Sequence, residues 1–187
     1  MPVQLKKLNF KTFAKNGDEM WRLLSLNRAR LSPWFWWANE SATPNKHRFY
    51  IFMAGYIIDT KCKKIIHKIN STKTYDEQFF VYNEQGKIGG MCGLDNINMQ
   101  TKDAENWGLA FKGYTETMEA IKLLDDYCID TLRLTSVYGR VQSTNRASMI
   151  FWEKYGYDEK RLEQNVRVSK HNPNTADIYI YRKNLTR

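Results

Sequence analysis

The sequence predicts a mixed α/β fold in a single domain, on three observations. Segments of strand and helix character follow one another in the order β, α, α, β, β, β, α, β, α, β, β. A four-residue turn, Asn83-Glu-Gln-Gly86, joins two strand-like runs, Gln78–Tyr82 and Lys87–Leu94, as a hairpin. Near the C-terminus, Asn145 can cap a helix that ends at Gly156, where glycine supplies the left-handed residue that turns the chain back.

In chain order, Leu5–Phe13 alternates as an edge strand, and Asn16-Gly17-Asp18 reads as a turn that caps a helix from about Glu19. That helix carries Met20, Leu23, Leu24 and Asn27 on one side and stops at Pro33, within the aromatic run Trp34-Phe-Trp-Trp37. Thr43 and Pro44 read as the cap and first residue of a second helix, with Phe49–Ile58 forming a well-buried stretch. After the hairpin, a turn over Met99–Asp103 leads to a strand over about Glu105–Phe111. Gly113 then opens a helix with Met118, Ile121, Leu124 and Cys128 at helical spacing. Leu132–Val141 is rich in strand formers. In the next helix Ala147, Ile150, Phe151 and Lys154 share a helical spacing, and the last strand falls at Ala176–Arg182.

The 187 residues suffice for one substantial core and contain no repeat or linker. Twenty-nine Lys and Arg against twenty Asp and Glu give a net charge of +9, which calls for a negative partner: nucleic acid, an anionic cofactor or an acidic protein. Cys62, Cys92 and Cys128 have no metal-type spacing and cannot all pair as disulfides, which points to a reducing, cytoplasmic setting. His47, His67 and His171 are scattered, so no metal is expected. No apolar run is long enough to span a membrane, and no membrane partner is expected.

Asn145-x-x-Ser148, seven residues and Gly156-Tyr157, behind the strand-rich Leu132–Val141, resemble the C-terminal half of the GCN5-related N-acetyltransferases (GNAT). Asn27-Arg28, Leu31, Pro33-Trp34 and Trp37, followed by the hairpin landmarks Phe79, Gly86, Ile88-Gly89, Gly93-Leu94 and Ala104-Glu105, resemble the RimJ/RimL branch of that family. The resemblance implies a central, mostly antiparallel sheet flanked by about four helices, whose two parallel strands splay apart to admit acetyl-CoA. It implies a transferase that acetylates a primary amine, either an acidic protein N-terminus of ribosomal type or a small amine such as a polyamine, an amino sugar or an antibiotic. It leaves open a binding module that has lost catalysis and contacts nucleic acid or the ribosome, and either a monomer or a homodimer.

The resemblance also assigns residues. Family members bind the pyrophosphate with Gln/Arg-x-x-Gly-x-Gly/Ala, and the matching stretch here is Ala110-Phe111-Lys112-Gly113-Tyr114-Thr115, in which Gly113 alone keeps the pattern. Leu109 or Ala110 would occupy a strand bulge whose backbone N–H faces the thioester oxygen. Trp152 stands where many members have a tyrosine acid, which makes Ser148 the candidate acid, beside the bland reading that Ser148 caps the helix or holds pantetheine. Asn145, Ser148 and Trp152 complete the cofactor set. Glu159, following Gly-Tyr, and Glu105, on the strand before the loop, are the candidate bases. Trp34 and Trp37 are candidate walls for the acceptor amine, with core packing as the rival role.

Overall fold

The computed structural model describes residues 2–111, 117–169 and 172–186. Seven strands form one sheet in the order β1-β2-β3-β4-β5-β7-β6. The strands are β1 (Gln4–Lys7), β2 (Tyr75–Tyr82), β3 (Ile88–Asn98), β4 (Asp103–Ala110), β5 (Ser136–Gln142), β6 (Glu159–Ser169) and β7 (Asn172–Asn184). The helices are α1 (Phe10–Leu31), α2 (Lys46–Ile69), α3 (Thr117–Tyr127) and α4 (Arg146–Lys154). This reproduces the strand and helix order expected from the sequence. Every sheet pairing is antiparallel except β4 with β5, which run parallel.

Two cores sandwich the sheet. Helices α1 and α2 cover β2 and β3 on one face, burying Met20, Leu24, Phe49, Met53, Phe80, Met91 and Leu109. On the other face α3 and α4 bury Phe79, Leu94, Ile121, Leu124, Val137, Trp152 and Tyr181. Side chains alternate along each strand, so neighbouring residues of β4 serve different cores: Ala104 faces α3 and α4, whereas Leu109 faces α1 and α2.

Several boundaries depart from expectation, each for a local reason. The N-terminal strand ends at Lys7, and Phe10–Phe13 is already helical. Asn9 Oδ1 accepts from the Thr12 N–H while Thr12 Oγ1 accepts from the Asn9 N–H, a capping box that starts α1 nine residues early. Asn16-Gly17-Asp18 therefore lies inside α1. Gly17 is there for close packing, since a Cβ would sit 2.8 Å from the Tyr50 hydroxyl of α2. Asn45, not Thr43, caps α2 by accepting from the Arg48 N–H. Thr43 is buried instead, donating to the Trp37 carbonyl and accepting from Arg28. The Phe49–Ile58 stretch is buried on one side only, through Phe49, Met53 and Ile57.

A π-helical turn over Cys128–Leu132 follows α3, so β5 begins at Ser136 rather than at Leu132. Met118 is exposed, while Ile121, Leu124 and Cys128 take the core positions. In α4 the residue fully drawn into the core is Trp152, and Ile150 points outward. Gly156 has φ +80°, the left-handed conformation expected of it. Among the described residues no helix is long and apolar enough to cross a membrane.

Candidate active site at the parting of the parallel strands

The parallel pair holds for three residues only. Asp103, Ala104 and Glu105 of β4 pair with Ser136, Val137 and Tyr138 of β5, after which the strands separate. Beyond that point β4 stays on β3 and β5 stays on β7, in register through Gly90↔Ala110 and Gln142↔Ile178. The result is an opening in mid-sheet that starts after Glu105.

The Phe111 N–H bonds the Gly89 carbonyl at 2.9 Å. Alternation along an antiparallel ladder then directs the backbone groups of Glu105, Trp107 and Leu109 toward β3, and those of Asn106, Gly108 and Ala110 away from it; the Asn106 N–H serves the last β5 pair, at Tyr138, and the groups of Gly108 and Ala110 look into the opening. The bulge expected at Leu109 or Ala110 is absent, because the β3 to β4 register is unbroken from Glu105 to Ala110; the shift in this pair falls between Asp95 and Asn98. Leu109 thus gives its backbone to β3 and its side chain to the core. Ala110 faces the opening, and its carbonyl accepts from the Arg30 guanidinium. Phe111 is buried in the same core as Leu109. Lys112, Gly113, Tyr114 and Thr115 lie outside the described residues.

Glu105 sits at the apex of the split. Its cross-strand partner on β3 is Asp95, so two carboxylates share one sheet face side by side. Burial, then the Asp95 charge, raises Glu105 to about 7, against smaller opposing effects of Arg140 and of Asn96, whose Nδ2 donates to it. Burial, then Asp76, lifts Asp95 to about 6, opposed by Trp107, Gln78 and Lys63; Gln78 Nε2 donates to Asp95 Oδ1 at 2.9 Å. A carboxylate poised near neutrality is suited to accept a proton from an ammonium group.

Register extends this polar row across the sheet, from Asp95 and Glu105 to Tyr138 of β5, Arg182 of β7 and Glu159 of β6. Glu159 is therefore three strands from Glu105, roughly 14 Å at ordinary strand spacing. It is exposed and accepts from Asn184. The structure does not bring the two candidate bases together, and Glu105 is the one at the opening.

An aromatic wall stands on the Glu105 face. Trp37 stacks on Phe52 at 6.0 Å and Phe52 on Tyr56 at 6.0 Å, while Phe35 bridges Trp37 and Trp107. Trp107 is two residues from Glu105 on the same side of β4. Tyr56 is raised well above its usual range, by burial first and then by the charges of Asp95, Asp76 and Asp59. Trp37 is thus half-buried in a ring cluster that leads toward the carboxylates, and Trp34 is half-buried in the same loop.

On the opposite face, Asn145 caps α4 by accepting from the Ser148 N–H at 3.2 Å, leaving Ser148 half-buried in the first helical turn. Asn145→Ala is expected to cost about 1 kcal/mol, the ordinary value of such a cap, measured by urea denaturation. Trp152 packs 4.5 Å from Tyr157 and over Gly139 of β5, where a Cβ would come within 3.1 Å of the indole. Its place is core packing beneath β5. Asn106 Nδ2 donates to the Tyr157 hydroxyl at 3.0 Å, yet its Oδ1 is buried without a partner among the described residues.

Asp95, Tyr56, Trp107, Tyr138 and Arg140 were not marked by the sequence motifs. One signal was readable: Asp95-Asn96 interrupts an otherwise apolar strand. Their convergence depends on register, which no single segment carries.

The sequence profile described as an acetyltransferase (GNAT) domain matches residues 47–175. A search of curated proteins found no match. Among solved structures, the chain is similar to RimL, a ribosomal L7/L12 α-N-protein acetyltransferase in complex with coenzyme A, at 14% identity and TM-score 0.71, covering 99% of this chain and 95% of that one. It is similar to a spermidine N-acetyltransferase from Vibrio cholerae in complex with CoA and spermine, at 16% identity and TM-score 0.64, covering 98% and 95%. A probable acetyltransferase matches at 18% identity and TM-score 0.67, covering 97% and 92%. With the family profile spanning most of the chain and the parallel strands splayed at Glu105, this protein belongs to the GNAT family of acetyl-CoA-dependent N-acetyltransferases.

Proposed function

We propose that this protein is a cytoplasmic, single-domain enzyme of the RimJ/RimL type that moves an acetyl group from acetyl-CoA directly onto the N-terminal amine of an acidic protein. The observation that carries the reading is Glu105, a carboxylate with its pKa raised to about 7 at the point where β4 and β5 part. The net charge of +9 supports an acidic protein acceptor.

The residues present fit acetyl-CoA at the opening. The backbone groups of Gly108 and the Ala110 N–H face it, and Asn106 Oδ1, without a partner among the described residues, lies on the same stretch, as an extended ligand with its own amides requires. The cosubstrate supplies the thioester carbonyl that the amine attacks. Glu105, directly or through one water, takes the proton that the ammonium must lose. A backbone N–H of Gly108 or Ala110 steadies the oxyanion, and Ser148 returns a proton to the departing thiolate. The ring cluster of Trp37, Phe52 and Tyr56 keeps water from the neutral amine, with Trp34 at its margin.

A second reading, a polyamine acceptor, is favoured by the Asp95–Glu105 pair, which suits a substrate with more than one cationic centre. Calorimetry with acetyl-CoA followed by a thiol-release assay separates the readings. Micromolar binding, lost on Gly113→Glu, with turnover of acidic N-terminal peptides is the expected result. Turnover of spermidine and not of peptides would replace it with the second reading. A folded protein that binds no acetyl-CoA but binds RNA in a salt-dependent way would be a binding module instead.

A further inference from the structure

Helix α2 has two apolar faces, and the sheet uses one. Phe49, Met53 and Ile57 are buried against β2, and Lys63 and Lys64 anchor the same side through ion pairs with Asp76 and Glu77. The opposite side carries Ile51, Gly55, Ile58, Cys62, Ile65 and Ile69, at intervals of four, three, four, three and four residues. That is the spacing of a coiled-coil seam. All six are exposed: Ile51, Ile58 and Ile65 at about half of their surface and Ile69 at 83%, with the half-exposed Ile66 on the flank. The spacing makes the seam continuous over roughly 27 Å of helix.

Three features specify what covers it. First, the seam is complementary to itself. When two copies of α2 run antiparallel about an axis at Thr60, Ile51 meets Ile69, Gly55 meets Ile65 and Ile58 meets Cys62 of the other copy, with the same three layers repeated by symmetry. A small residue faces a large one in two of the three. Second, Gly55 stands in mid-helix with open space around it: a Cβ there would meet nothing within 4 Å. Glycine weakens a helix interior, and no contact among the described residues accounts for it; close approach of a second helix does. Third, the isoleucines alone present roughly 500 Å² per protomer, or about 1,000 Å² for the pair, and flanking lysine stems bring this to the lower bound of stable interfaces.

We propose that the exposed face of α2 is the interface of a twofold homodimer, with two α2 helices packed antiparallel about Thr60. The same helix supplies Phe52 and Tyr56 to the aromatic wall, so the interface would brace the acceptor side of each site. Lys61 opposes Lys61 of the second copy, and the chains carry like net charge. Salt should therefore tighten the dimer.

Sedimentation between 1 and 100 µM tests the proposal. The expected result is a dimer with a low-micromolar dissociation constant that tightens as salt rises. Ile58→Glu, at an exposed position, should weaken association at least 100-fold. Gly55→Leu should weaken it while leaving the dilute monomer folded by circular dichroism. Under mild oxidation Ile58→Cys should trap the dimer through a disulfide to Cys62 of the second copy, and wild type should not cross-link through Cys62 alone. A wild-type monomer at 100 µM, a dimer unaffected by Ile58→Glu, efficient Cys62-to-Cys62 cross-linking, or a monomer that binds anionic vesicles would each overturn it.

Discussion

Glu105→Gln is expected to lower kcat/KM by about 10² to 10³ while leaving acetyl-CoA affinity within a few-fold of wild type, because a positioned general base typically contributes about 10² to 10⁴. The glutamine keeps size and hydrogen bonding but cannot take the proton. In wild type the acidic limb of the kcat/KM profile should bend near pH 7, where Glu105 titrates, with activity falling as it protonates below that value. In the variant that bend should vanish. A residual bend at the same pH would assign the base to another group.

The stability of the same variant should move the other way. Glu105 holds its proton more tightly in the folded protein than the ordinary carboxylate value of 4.5, so folding is favoured while it is protonated. That advantage is lost as pH rises from about 4.5 to about 7, above which the buried charge weighs in full against the fold. Glu105→Gln removes this penalty, and its melting temperature should exceed that of wild type by a few degrees at pH 8 and converge with it near pH 4.5. Loss of activity with a gain in stability distinguishes a functional carboxylate from a structural one.

How far the sequence discloses such a site depends on whether the relevant contact is local. The order of strands and helices followed from hydrophobic periodicity and turn residues, each legible within a dozen positions. The Asn145 cap and the Gly156 turn were equally local. The start of α1 at Phe10 is hidden in the sequence because Asn16-Gly17-Asp18 has turn composition. Its glycine answers instead to Tyr50, 33 residues away on α2. Glu105 was legible as a strand carboxylate before the cofactor loop. Its partner Asp95 was not, since their opposition is fixed by the β3 to β4 register. Glu159, nearest to the expected motif position, shares the same row of the sheet yet stands at its edge. Count along the chain could not separate the two carboxylates; strand order does.

Glu77→Ala should damage the fold strongly, costing about 3 kcal/mol and lowering the melting temperature by about 6 to 12 °C. Its carboxylate is wholly buried on β2 and is held by Lys7 of β1 at 2.7 Å, by Lys64 of α2 and by the Tyr127 hydroxyl at 2.5 Å. Four elements from both faces thus meet on one side chain. Burial alone would raise its pKa, but the bonds from Lys64, Lys7 and Tyr127 outweigh it and hold the group below the usual 4.5. The sign of the linkage follows: the stabilisation is full above about 4.5 and disappears as pH falls through the lowered native value. Glu77→Gln, which keeps the volume, should cost about 2 kcal/mol at neutral pH, less than Ala because no cavity opens and because the two lysines can turn to water. Its deficit against wild type should shrink on acidification below 4.5. Wild type minus variant therefore runs in opposite directions for the two glutamates: for Glu77 the difference declines toward acid, and for Glu105 the deficit grows toward base. Melting curves of both glutamine variants from pH 3 to pH 8 would show whether one carboxylate ties the sheet together while the other, two strands away, is held against the fold for chemistry.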